Sequence, residues 1–414
     1  MILPPDVHPD ALPAGSIVLH IGPPKTATTQ LQASLYAARP TLLEHGVRHA
    51  GASRHPGGAV KAVLGTPSAF AGGIVPGIGR WKALVQEART APQSRVIISS
   101  EFFADAPPEV IRRIADDIGR DRVHVAVTLR PLARILPSQW MQYVCDGSVV
   151  AWDDWLRAMF GRNDRRITPG FWRRHRHHEL VERWATELGG DRVTVLAIRE
   201  GDRGGVLRDA EGLLGLPGGL LEEHEGVSNR SLTWPEAEAV REFNTIVRAG
   251  GLSRVELHRV VHYGASRYLK DQPPDPGAPR IELPDWVLDD VRAEAAANVV
   301  NLRASGVRIA GDLDGLASVP DPRGADLPQP GGDPSVAATF AVGVLIATGM
   351  ARPGPAETRQ DMSMIATYAL RGYIMRRAVS SLRRRKRLVR VLRPLRRGSR
   401  VVRGKGGRKA RQTA

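Results

Sequence analysis

The chain has 414 residues, 42% of them hydrophobic, which is enough for one large domain or two smaller ones. A net charge of +16 would suit a nucleic-acid binder, but from Arg371 onward there are 18 Lys/Arg and no Asp/Glu. The first 370 residues hold 41 basic and 43 acidic side chains, a net of −2, so the basicity belongs to a tail and argues against nucleic acid as the main partner. The single cysteine, Cys145, excludes a disulfide framework.

The opening MILPPDVHPDALPAG carries Asp6, Asp10 and several prolines with no apolar run, so it reads as a lead (residues 1–15) and not as a secretory signal. SIVLHIG (Ser16–Gly22) is a buried strand ending in a Gly-Pro-Pro loop. Thr28 to His45 has Leu31, Leu35, Leu42 and Leu43 on one helical face, with Pro40 breaking or kinking it. SRVIISSE, RVHVAVTLR and RVTVLAIRE are three more Val/Ile-rich strands, and helical stretches at Pro108–Gly119, Pro131–Tyr143 and Phe171–Leu188 lie around them. Alternation of this kind predicts an α/β fold with a mainly parallel sheet and helices on both faces.

After Gly226 the pattern turns helical (Pro235–Ala249, Leu252–Leu269, Pro284–Ala304), which predicts a cap on the αβ part. The expected boundaries are an αβ core at 16–226, a helical cap at 227–319, a Pro/Gly/Asp-rich linker at 320–334, and an apolar segment with a basic tail at 335–414. The apolar stretch Val336–Met350 is short of the ~20 residues a membrane-spanning helix needs.

The strongest local signal is HIGPPKTATTQLQ, His20 to Gln32. A strand, a small-residue loop and a helix start aim backbone N–H groups at an anion. Lys25 adds a mobile point charge, and the Thr28 and Thr29 hydroxyls add donors. GPPKTATT does not match the ATP-binding GxxxxGK(S/T), because the lysine stands three residues after Gly22 and the threonines come later. The loop resembles the 5′-phosphosulfate loop of the sulfotransferases that use 3′-phosphoadenosine-5′-phosphosulfate (PAPS), commonly PKSGTT or PKTGTT. It reads here as Pro24, Lys25, Thr26, Ala27, Thr28, Thr29, with Ala27 where that family usually has glycine. A methyl group would crowd the loop if that position needs φ > 0.

Further on, TLRPLARILPSQW resembles the family's 3′-phosphate motif R-x-P-x-x-R-x-x-S, with the proline moved up to Pro131. Arg130 and Ser138 match the two residues that grip the 3′-phosphate in the family, work that suits a planar guanidinium fork, and Arg134 falls one place short of the second arginine. VSNRSLTWPE resembles a loop near the start of the cap in bacterial members, from which Asn229, Arg230 and Ser231 could reach the nucleotide; the alternative is a capping segment with Thr233 as N-cap and Glu236 at N3. The resemblance spans roughly Ser16 to Gly311. It implies a P-loop-like three-layer fold, PAPS as co-substrate with no metal, Gly22 within the cofactor loop, and Lys25 stabilising the leaving group.

Glu101 ends the second strong strand and resembles the glutamate base of the glycan-modifying members; burial at that edge is expected to raise its pKa. The acceptor, a small molecule or a glycan, has no signature. RRHRHHEL (Arg173–Leu180) reads as a solvated helix face, because it lacks an i, i+4 histidine pair and a nearby acidic cluster. The tryptophans at 152, 155, 172 and 184 read as core and cap packing. The tail interleaves Lys/Arg with Met375, Val379, Leu382 and Leu388. It reads either as an amphipathic helix on an anionic membrane or acidic polymer, or as a solvated tail, so the expected location is cytoplasmic or peripheral at the inner membrane face.

Overall fold

The computed structural model describes residues 9–351, apart from 69–72, 163–166, 169, 203, 225–229, 252–256 and 325–332. The tail beyond residue 351, including the stretch from Met375 to Leu388, and Asn229 lie outside the described residues.

Six strands form one parallel sheet: β1 (Ile17–His20), β2 (Val47–His49), β3 (Arg95–Ser99), β4 (Val123–Leu129), β5 (Val193–Ala197) and β6 (Arg308–Gly311). Their order is β2-β3-β1-β4-β5-β6, and in register Leu19 stands between Ile98 of β3 and Val125 of β4. β1, β4 and β5 are buried along their whole length, as the unbroken apolar runs predict for strands covered on both faces.

Alternation along β1 divides the core. Ile17 and Leu19 join one apolar cluster with helices Gly79–Arg89, Pro108–Ile118, His177–Leu188 and Leu288–Ala304. Val18 joins another, with Leu31 and Leu35 of helix Thr28–Ala37 and Leu213 and Leu214 of helix Gly205–Leu214. Helix, sheet and helix thus make three layers. Helix Pro108–Ile118 shows the rule behind this packing: Ile111, Ile114, Ala115 and Ile118 recur at helical spacing and are all buried.

A third cluster contains no strand residue, and it is the cap. Trp140, Trp152, Trp155 and Phe171 pack there with Leu257, Val261, Leu269 and Val291. Trp152, Trp155 and Trp184 are buried as expected for packing residues. The expected helical break falls at Ala38, which separates Thr28–Ala37 from Arg39–Glu44, with Pro40 in the first turn of the second helix.

The segment boundaries differ from the sequence reading. The cap begins within 16–226, because helix Leu132–Cys145 supplies its centre. Conversely, β6 and helix Leu288–Ala304 fall inside 227–319 but complete the sheet layer, with Val299 and Leu302 in the first cluster. β2 and β6 are short edge strands, Val-Arg-His and Arg-Ile-Ala-Gly, whose charged and small residues make no apolar run to mark them. Phe171–Leu188 is two helices, interrupted at Arg176 (ψ 89°). The compact body runs through Val344, beyond the 320–334 linker: Phe340 of helix Pro334–Ala347 packs edge-on against Phe243 at 4.9 Å. Among the described residues no helix is long and apolar enough to cross a membrane.

Candidate functional site

β1 and β4 lie side by side, yet their chains leave toward opposite edges of the sheet, so a crevice opens at their carboxyl ends. The loop that follows β1 occupies this point, and a buried polar network holds it there. His20 at the end of β1 meets Ser99 Oγ of β3 through Nδ1 (2.7 Å) and Thr128 Oγ1 of β4 through Nε2 (3.2 Å). Thr128 Oγ1 lies 2.7 Å from Thr26 Oγ1, which donates to the Pro23 carbonyl at 2.6 Å. Burial holds the His20 imidazole down at about 4, so it sits neutral in this network. Three strand ends are thereby tied to one loop. Thr26 faces inward with no exposed surface, so the hydroxyl expected to bind cofactor is an anchor of the loop.

The loop backbone is unusual for its sequence. Gly22 has φ 77°, and a Cβ there would meet Glu101 Cβ at 2.9 Å. Lys25 (φ 71°) and Ala27 (φ 57°) are also left-handed, which costs side-chain-bearing residues about 1 kcal/mol or more each. Ala27 therefore occupies the conformation for which glycine is suited. It also precedes helix Thr28–Ala37, whose N-terminus has no side-chain cap, so the first turn presents backbone donors and a positive dipole end to the crevice.

Lys25 Nζ donates to a neutral partner, Gln142 Oε1, at 3.0 Å. Burial, with help from Lys270, brings its pKa down to about 8 against the pull of Cys145, Asp146 and Glu101. Glu101 opens a short 3₁₀ turn directly after β3. Its Oε2 lies 3.1 Å from His55 Nε2 and accepts from Gln32 Nε2 at 3.2 Å, while His55 Nε2 also lies 2.9 Å from Ser100 Oγ. The expected rise in the Glu101 pKa is overturned. Burial does push it up, but His55, the local backbone and Gln32 stabilise the carboxylate more and hold it at about 2.

At the other end, Arg130 follows β4 and donates from Nε to Glu200 Oε1 at 3.0 Å; Arg134 Nε lies 3.4 Å from the other oxygen of the same carboxylate. Ser138 Oγ donates to the Arg134 carbonyl at 3.2 Å. One cavity of about 1060 Å³ joins the two ends: Pro24, Lys25, Ala27, Thr28, Thr29, Glu101, Arg130 and Ser138 all line it. Its other charged walls include Arg54, Lys61, Arg174 and Arg199 against Asp146, Glu200 and Asp202, so cations outnumber carboxylates.

Arg230 is not among these residues. Its fork makes two 2.8 Å bonds to the Glu236 carboxylate, and its Nε donates to the Lys270 and Gln272 carbonyls. Glu236 in turn completes a capping box with Thr233 at the start of helix Trp234–Ala249. Arg230 is thus a structural clamp, and among the described residues of VSNRSLTWPE only Ser231 lines the large cavity.

The surroundings hold residues that motif reading missed. His55 stands in a Gly/Ala/Pro-rich stretch with no local pattern to mark it. Asp146, His258 and His262 line the same cavity, and the i, i+4 spacing of HRVVH was legible. The histidines of RRHRHHEL are the reverse case: His175 and His177 are buried and not solvated, because the break at Arg176 turns both inward. The chain matches no family model, no curated protein and no solved structure.

Proposed function

We propose that this protein is a sulfotransferase that moves a sulfuryl group from PAPS to a hydroxyl or amine. One observation carries the reading: the loop with Lys25 and the Arg130–Ser138 pair, both singled out by motif, line a single cavity large enough for a nucleotide and an acceptor together.

In this reading the backbone amides from Ala27 to Thr29 and the Thr28 and Thr29 hydroxyls hold the 5′-phosphosulfate, and Arg130 with Ser138 holds the 3′-phosphate, giving a P-loop-like site. Lys25 neutralises the negative charge that grows on the bridging oxygen as the S–O bond breaks. Glu101 takes the acceptor proton as the new bond from sulfur to the acceptor oxygen or nitrogen forms and the bridging S–O bond breaks, and His55, 3.1 Å from the same carboxylate oxygen, holds that carboxylate in place. Sulfuryl transfer of this kind is in-line and loose, so positioning and fixed charge supply most of the rate. Arg54 and Lys61 beside Glu101 favour an anionic acceptor such as an acidic glycan. The free, buried Cys145 fits a reducing compartment, and we place the enzyme in the cytoplasm.

The reading is tested with ³⁵S-labelled PAPS and a panel of acidic glycans and glycolipids. Label transfer that needs Lys25 supports it. ATP hydrolysis or phosphoryl transfer with magnesium, and no label transfer, would replace it with a small-molecule kinase; neither activity would leave a non-catalytic scaffold.

A further inference from the structure

The cap contributes a group of side chains that the proposed transfer does not use. Asp146 ends helix Leu132–Cys145, where the helix dipole favours a cation. His258 and His262 stand one turn apart on the π-helical turn His258–Ala265, with rings stacked at 4.7 Å and 18°. Both Nδ1 atoms converge on one oxygen: Asp146 Oδ1 lies 3.3 Å from His258 and 2.9 Å from His262. The three atoms lie within 4.8 Å of one another.

These separations decide between chemistries. Ligands on a tetrahedral zinc-like ion, with bonds of about 2.0–2.1 Å, stand roughly 3.3 Å apart. The oxygen–nitrogen edges of the triad are therefore already the size that one ion requires. Two imidazoles and one carboxylate suit a zinc-class divalent ion, and are poor ligands for calcium or magnesium, which take oxygen. Gln142 is a neighbour of the triad and not an outer-layer support: its Nε2 lies 3.1 Å from both Asp146 Oδ1 and His262 Nδ1, so this amide must turn aside for an ion to take those atoms, while its Oε1 holds Lys25. All three side chains are partly exposed and line the large cavity, so an ion held by them would face that cavity.

We propose that Asp146, His258 and His262 form a mononuclear site for a zinc-class divalent cation, with its open position facing the cavity and able to take an oxyanion or hydroxyl of a bound ligand. The proposal does not need the sulfotransferase reading, because its three ligands belong to the cap and are assigned no phosphate contact, although Asp146 and Gln142 also neighbour Lys25.

The test is titration of the metal-free full chain with Co²⁺, followed by visible absorption, and with Zn²⁺, followed by calorimetry. We expect a single equivalent, a strong low-symmetry Co²⁺ band, and a loss of affinity of about tenfold or more in Asp146→Asn and in His262→Ala. His45→Ala, at an exposed position, should change nothing. Near-UV circular dichroism checks folding, and Asp146→Asn, which keeps the side-chain size, decides the matter if His262→Ala unfolds. No uptake, or uptake that is equal in Asp146→Asn and the parent, would mean that the triad is a hydrogen-bonded cluster only and would overturn the proposal.

Discussion

The two ends of the large cavity solve the same electrostatic problem differently. At the β1 end the donors are fixed and the cation rests on no carboxylate: the loop is tied to three strand ends through His20 and Thr26, and Lys25 donates to a neutral amide. At the β4 end the guanidinium of Arg130 is already paired with Glu200, and both are about one-third exposed. An anion entering the first end meets a prepared site, whereas at the second it must displace a carboxylate. Such exposed pairs are worth roughly 0–1 kcal/mol, so the displacement is cheap. The difference teaches that anchoring, not charge alone, distinguishes the loop after β1 from the partly exposed arginine after β4.

The largest effect should come from Glu101→Gln, which is expected to leave nucleotide affinity within a few-fold while lowering turnover by about 10²–10⁴ in the ³⁵S assay. Lys25→Ala strikes the prepared end, and turnover should fall by about 10²–10³. Retained turnover in either variant would remove that residue's role. The same lysine sets a pH dependence. Its folded pKa, about 8, is below the ordinary 10.5, so the ammonium that an anion needs is present below about pH 8 and is lost as pH rises through that value. Affinity for an anionic nucleotide should therefore fall by up to about tenfold per pH unit above 8, and Lys25→Arg should abolish this decline, since a guanidinium stays charged. A flat profile in the parent protein would show that Lys25 carries no share of the binding.

The β4 end should answer more weakly. Glu200→Gln releases Arg130 and is expected to tighten nucleotide binding by about two- to fivefold, whereas an ATP site that ignores Arg130 would not respond. The smallest effect tests the loop backbone. Ala27→Gly relieves a left-handed alanine and should raise thermal stability by about 1 kcal/mol or less, part of the gain being offset by the freer unfolded chain. Destabilisation instead would mean that the Ala27 methyl contributes packing worth more than the strain.

The sheet was legible where strands were apolar and buried, as in β1, β3, β4 and β5. β2 and β6 escaped because they are short edge strands, Val-Arg-His and Arg-Ile-Ala-Gly, without an apolar run. The loop after β1 was legible because its pattern is local: strand, loop and helix follow one another. Glu101 was legible at the strand end and lines the cavity, but the direction of its pKa shift was not legible, because the decisive neighbours, His55 and Gln32, are brought to it only by the fold. Arg230 is the opposite case. Its type suggested phosphate binding, and only the tertiary contacts reveal that Glu236 and backbone carbonyls occupy its fork. Asp146, His258 and His262 needed both kinds of information, a readable i, i+4 pair and a carboxylate more than a hundred residues earlier in the chain.

The most direct test of the central claim is calorimetric titration of the full chain with adenosine 3′,5′-bisphosphate in the presence of a chelator, beside the same titration of Lys25→Ala and Arg130→Ala. One nucleotide gripped at both ends predicts metal-free binding at a single site that weakens in each variant. Binding that survives both substitutions, or that appears only with ATP and magnesium, would contradict it.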